Sequence, residues 1–147
     1  KKHVDSPSYQ LMLNGLLTHN VEETSVKELN NNSSHILFLD AREPEEFAVS
    51  HIKNAINVGH NDIDLSLLDS LNYNREIVVY CSVGYRSEKV TKQIQKQGFT
   101  NVKNLVGGIF EWVNQGKPIY QKTLKTNKIH AYSKAWGIWL KKGDKLY

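Results

Sequence analysis

Two short runs, HILFLD at 35–40 and EIVVYC at 76–81, are almost unbroken in apolar, β-branched and aromatic residues. Continuous apolarity, as opposed to alternation, marks strands covered on both faces, as in a parallel sheet. Between and after them, EPEEFAVSH, DIDLSLLDSL and RSEKVTKQIQKQG carry apolar positions at helical spacing, and the last stops at Gly98, suited to the position just past a helix end. AINVG and VKNLVGG read as short strands and GIFEWVNQG as a final helix, while ETSVKELNNNS reads as a brief strand, one helical turn and an Asn-rich breaker at 30–34. Strand and helix alternating over residues 24–115 predict an α/β domain with a mainly parallel sheet.

The two ends lie outside this alternation. SPSYQLMLNGLL places Ser6 as N-cap and Pro7 at the first helical position, predicting a helix over 7–19. In the tail, Ile129, Tyr132, Trp136 and Trp139 or Leu140 share one face of a helix, which predicts packing on the domain, against the N-terminal helix. Trp on the apolar side and Lys on the other also describe a helix lying on a membrane surface, the sharper alternative.

Charge separates the tail from the rest. Residues 116–147 hold eight Lys against one Asp, a net of +7, whereas residues 1–115 carry a net of −3. This distribution argues against a uniform nucleic-acid surface and leaves the tail as a possible docking site for a protein partner. No segment approaches the ~18 apolar residues of a membrane span. The single cysteine of the 147-residue chain excludes an internal disulfide, so the fold rests on its core. A cytoplasmic location is the working expectation; an exported form stays open because residue 1 is Lys and not Met.

That cysteine, Cys81, closes the second apolar run, and Ser82, Val83, Gly84 and Tyr85 link it to a helical pattern that begins near Arg86. In an open parallel sheet, ligands bind beyond the carboxyl ends of strands, where loops lead into helix N-termini. A sulfur anion there faces free N–H groups and the positive end of a helix, and Arg86 adds a full charge. Gly84 lets the backbone turn so that its amides point inward. The competing reading is a buried, inert thiol.

Three ordered blocks weigh against inertness. LDAREPEEFAVSHIKNAINV, CSVGYRS and LVGGIFEWVNQGKPI resemble, in turn, the early motif, the active-site loop and the closing Gly-Gly-plus-Trp segment of the rhodanese-like sulfurtransferases. The resemblance implies a single-domain α/β protein with a five-stranded parallel sheet flanked by helices, spanning 24–119, with an N-terminal helical extension at 1–23 and a basic aromatic extension at 120–147. It implies Cys81 as a nucleophile that carries a persulfide, and Ser82, Val83, Gly84, Tyr85 and Arg86 as the loop that holds the transferred sulfur and an anionic donor group. Thiosulfate or a persulfide would be the donor and a thiol or cyanide the acceptor, with no cofactor. Two departures stand out: Ser82 occupies a position where many thiosulfate-using members carry Arg, which weakens attraction for that dianion, and Ser50 replaces the usual Gly in VSHI.

Asp40, Arg42 and Glu46 are expected to support the loop, with Asp40 or Glu46 orienting Arg86 and Arg42 forming an ion pair. His51 reads as a scaffold residue and His60 as a candidate for the site rim. The six histidines show no metal-ligand spacing with Cys81, so no metal is expected. Phosphatases and arsenate reductases of related fold place five residues between Cys and Arg. Only four lie between Cys81 and Arg86, a ring sized for one sulfur atom and too tight for a phosphoryl group. A persulfide-relay module acting with a partner is the alternative function.

Overall fold

The computed structural model describes residues 2–29 and 34–147. Five strands, β1 (Glu23–Thr24), β2 (Leu37–Asp40), β3 (Ile56–Asn57), β4 (Ile77–Tyr80) and β5 (Val102–Leu105), form one sheet in the order β1-β5-β4-β2-β3. All its pairings are parallel, with Asp40 opposite Tyr80 at the carboxyl ends of the two inner strands. The unbroken apolar runs are thus buried on both faces: Ile77, Val78, Val79 and Tyr80 are wholly inaccessible. Most of the Asn-rich breaker lies outside the described residues.

Among the described residues, six α-helical segments accompany the strands: α1 (Pro7–Leu16), α2 (Val26–Leu29), α3 (Pro44–Val49), α4 (Tyr85–Lys96), α5 (Gly108–Asn114) and α6 (Lys134–Gly137). Ser6 caps α1 through its hydroxyl, as its position before Pro7 predicts, although the helix ends at Leu16, three residues short of the expected His19. Segment 62–71, expected to be an α-helix, forms one 3₁₀ stretch, Ser66–Ser70. Only Leu68 of that stretch is buried, too little apolar surface to hold a longer helix against the core. Gly98 follows α4 with φ +103°, the left-handed conformation expected past a helix end.

The tail departs most from expectation. It forms an antiparallel ribbon, β6 (Ile119–Gln121) with β7 (Leu124–Thr126), and a parallel pair, β8 (Lys128–His130) with β9 (Asp144–Leu146), around the single turn α6. Helical spacing of its apolar residues is a coincidence of folding back: Ile129 and Leu140 are both fully buried, but Ile129 belongs to β8 and Leu140 to the link between α6 and β9. Gly137 permits that fold, since a Cβ there would lie 3.3 Å from both the Ala131 methyl and the Tyr147 ring. The expected packing against the N-terminal helix does occur. Tyr9 stacks on Trp139 at 5.5 Å, and its hydroxyl donates to the Gly107 carbonyl at 2.7 Å. The N-terminal segment therefore meets the start of α5, which in turn holds the loop after β4, while the tail meets the end of that helix, where Asn114 Nδ2 donates to the Trp139 carbonyl at 2.9 Å.

Candidate active site

Cys81 follows β4 in the middle of the sheet, at the carboxyl ends of its strands. Its sulfur accepts the Gly84 N–H at 3.1 Å, and the Ser87 hydroxyl lies 3.4 Å away. Gly84 has φ +126°, a conformation open to glycine and strained for other residues, and this turn aims its amide at the sulfur. The loop's carbonyls are directed the other way: Gly107 N–H donates to Val83 O at 2.9 Å, Ile109 N–H to Cys81 O at 2.9 Å and Phe110 N–H to Ser82 O at 3.1 Å. Gly108 makes this contact possible, because a Cβ there would stand 2.4 Å from the Ser82 carbonyl oxygen. The Gly-Gly pair thus fixes which side of the loop its amides face.

Arg86, in the first turn of α4, is directed at a carboxylate. Its two terminal nitrogens donate to Glu46 Oε2 at 2.7 Å and Oε1 at 2.9 Å, and one also donates to Ser82 Oγ at 2.9 Å. Burial pushes the guanidinium pKa down, but Glu46 and the nearby Cys81 sulfur more than offset this, so the net direction is up. Glu46 mirrors it. Burial raises its carboxyl, and the Arg86 hydrogen bond and charge bring it below the usual carboxylate range. Of the two residues expected to orient Arg86, Glu46 makes the contact.

Asp40 instead grips Arg42. The guanidinium donates to both carboxylate oxygens, at 3.0 and 2.6 Å, and to the Ser50 carbonyl at 2.7 Å, with both side chains fully buried. Ser50 therefore sits at a buried turn that ends α3. His51 stacks on Phe47 at 4.3 Å, and its backbone pairs with Tyr120.

Above the sulfur lies a pocket of about 310 Å³. Cys81, Ser82, Val83, Tyr85 and Arg86 line it from the loop and α4, and Glu43, His60 and Asn61 line its rim. Tyr132 and Trp136 of the tail also line it, and the Arg86 guanidinium carbon lies 4.9 Å from the Tyr132 ring centroid. Sequence reasoning assigned these two rings to a face packed on the domain or, as the alternative, lying on a membrane surface; Trp136 does pack partly against the core, but helical periodicity carries no signal that the tail will also reach the far end of the sheet. It also missed Ser87 and Asn104: the Ser87 hydroxyl donates to Asn104 Oδ1 at 2.6 Å, and Asn104 Nδ2 donates to the Gly84 carbonyl at 3.1 Å. The dipeptide Arg86–Ser87 was within view in the loop motif; its link to Asn104 on β5 was not. Among the described residues no cluster of side chains could hold a metal ion, and no helix is long and apolar enough to cross a membrane.

A family model described as Rhodanese-like domain matches residues 23–115. The chain belongs to the rhodanese-like family. A sulfurtransferase of Allochromatium vinosum is 28% identical over 103 residues, covering 70% of this chain and 95% of that protein. A tRNA uridine(34) hydroxylase of Buchnera aphidicola is 33% identical over 100 residues, which cover 63% of this chain; the chain spans only 32% of that longer protein. Among solved structures, a rhodanese-related protein from Thermoplasma volcanium superposes with a TM-score of 0.61 at 26% identity, covering 69% of this chain and 99% of its own. Tyr132 and Trp136 lie beyond the part of the chain that the rhodanese-like model matches.

Proposed function

We propose that this rhodanese-like chain is a sulfurtransferase that moves a sulfane sulfur through a persulfide on Cys81. One observation carries the reading: the sole thiol lies on the floor of a pocket at the carboxyl end of β4, with a loop amide 3.1 Å from its sulfur. The family and the sulfurtransferase relative support the same chemistry.

In the first half-reaction the Cys81 thiolate attacks the outer sulfur of a donor. With thiosulfate, the S–S bond breaks, its electron pair leaves with sulfite, and Cys81 becomes a persulfide. In the second, a thiolate or cyanide attacks the terminal sulfur and the electron pair returns to Cys81. No net oxidation of the protein occurs. The Gly84 N–H is in place to stabilise negative charge at the sulfur, and the Glu46-held guanidinium of Arg86 supplies positive charge beside it. With no second cysteine in the chain, the acceptor comes from outside. Four residues between Cys81 and Arg86 leave a ring sized for one sulfur, which argues against phosphoryl chemistry.

The test is intact mass spectrometry after incubation with thiosulfate or a small persulfide. The expected result is the gain of one sulfur atom, absent from Cys81→Ser. A wild-type protein that gains sulfur from neither donor defeats the proposal.

A further inference from the structure

We infer that Tyr132 and Trp136 form a subsite for the carbon skeleton of an organic persulfide, so that this chain exchanges sulfur with a small organic thiol carrier in preference to thiosulfate. The inference rests on the sulfurtransferase reading and adds the class of donor.

Size is the first reason. The sulfur to be transferred needs only the atom-sized space above the Cys81 sulfur, yet the pocket of about 310 Å³ falls within the ~300–1,000 Å³ usual for small-molecule sites. A small inorganic anion leaves most of that volume empty. The second reason is charge. Arg86 is the one guanidinium lining the pocket; Glu46 already meets it with two hydrogen bonds, and Ser82 takes a third. Glu43 adds a carboxylate to the rim. A dianion therefore gains little there, and Ser82 brings no charge of its own.

The third reason is the aromatic wall. Tyr132 is 51% exposed and has φ +69°, a strained backbone for a non-glycine residue, so burial of the ring does not account for its placement. The neighbouring backbone is held on both sides: Ala131 N–H donates to Leu146 O at 2.7 Å, Tyr132 N–H to His130 Nδ1 at 3.0 Å, and Ser133 Oγ accepts the Trp136 N–H at 3.2 Å. These contacts place the Tyr132 ring against the Arg86 guanidinium, with Trp136 and Tyr85 lining the same pocket. Flat, partly exposed rings bind apolar stems and planar amides.

In the reaction this implies, the Cys81 thiolate attacks the outer sulfur of R–S–SH. The donor's S–S bond breaks, its electron pair leaves with R–S⁻, which takes a proton from solvent, and Cys81–S–SH remains. The R group lies against the two rings while the terminal sulfur meets the loop.

The test measures second-order rate constants for the gain of one sulfur at Cys81, by rapid quench and intact mass, with glutathione persulfide and with thiosulfate, on the full chain. The wild type is expected to react faster with glutathione persulfide. In Tyr132→Ala and in Trp136→Ala the ratio of the two constants should fall about threefold to tenfold through loss of the persulfide rate, with Trp136→Phe largely restoring it. Thermal unfolding checks each variant, and Tyr132→Ala decides alone if the Trp136 variants fail to fold, since its ring is half exposed. An unchanged or rising ratio overturns the inference. So does a wild type that takes sulfur from thiosulfate alone, which leaves the sulfurtransferase proposal standing; failure with both donors removes the two together.

Discussion

Glu46→Gln removes one charge from the site at almost constant shape. The carboxylate accepts two hydrogen bonds from Arg86, at 2.7 and 2.9 Å, and a third from the Glu43 backbone N–H at 2.9 Å. Glutamine retains one acceptor oxygen but turns an N–H₂ donor toward a donor on Arg86. Two unit charges ~4 Å apart at an effective dielectric of ~20 attract by ~4 kcal/mol, and removing one partner of a wholly buried pair costs ~3–5 kcal/mol. Arg86 is 13% exposed in its side chain and keeps Ser82 Oγ and the Tyr132 face, so the expected loss is lower, about 2 kcal/mol. With a urea m-value of ~2 kcal/mol/M, the unfolding midpoint should fall by about 1 M at pH 7. The sign with pH follows from the direction of the shift. Because the folded Glu46 carboxyl titrates below its ordinary value of 4.5, its contribution is complete above that pH and disappears as pH falls through the folded value. Wild type and Glu46→Gln should therefore differ fully at pH 7 and converge only in acid, as the pH falls below the ordinary carboxylate range and through the lowered Glu46 value. A midpoint shift under about 0.3 M at pH 7, or a gap that persists unchanged into acid, refutes the argument.

Cys81→Ser should lose sulfur uptake entirely while changing stability by no more than about 1 kcal/mol, since the Gly84 N–H and Ser87 hydroxyl can serve the new oxygen; intact mass and urea unfolding read the two effects. Asp40→Asn should cost ~3–5 kcal/mol in urea unfolding, because it leaves the wholly buried Arg42 cation without its carboxylate. Gly108→Ala should lower stability by ~3 kcal/mol, about 10 °C in thermal midpoint, and slow sulfur uptake by displacing the loop, given the 2.4 Å approach of its Cβ to Ser82 O and a φ of +59°. Wild-type values for that variant would show that the loop does not depend on the Gly-Gly contact.

The order of strands and helices over 24–115, the place of Cys81 at the end of β4, and the turn at Gly84 were legible in the chain because each depends on local rules: apolar continuity, the end of a run, the conformational freedom of glycine. The family motifs carried the same region. Partner choice was less legible. Asp40, Arg42, Glu46 and Arg86 could all be named as charged groups near the loop, but which carboxylate takes which guanidinium depends on α3 crossing beside α4, forty residues apart in sequence. Likewise Ser87 meets Asn104 only because β5 lies next to β4 in the sheet.

The tail shows the limit most plainly. Its residues satisfy helical spacing, and a periodic pattern cannot tell a helix from a segment folded back on itself when the buried positions happen to coincide. Ile129 and Leu140 are indeed buried, as apolar residues with a core within reach must be, so the hydrophobic effect alone determined their fate from the sequence. That Tyr132 and Trp136 also line the pocket, Trp136 while packing partly against the same core, was decided by tertiary structure, through the pairing of β8 with β9, the close approach at Gly137 and the left-handed backbone at Tyr132. Burial is a property of residue type summed over the chain. The direction in which a half-buried ring points is set by contacts between residues distant in sequence, and those exist only in the folded protein.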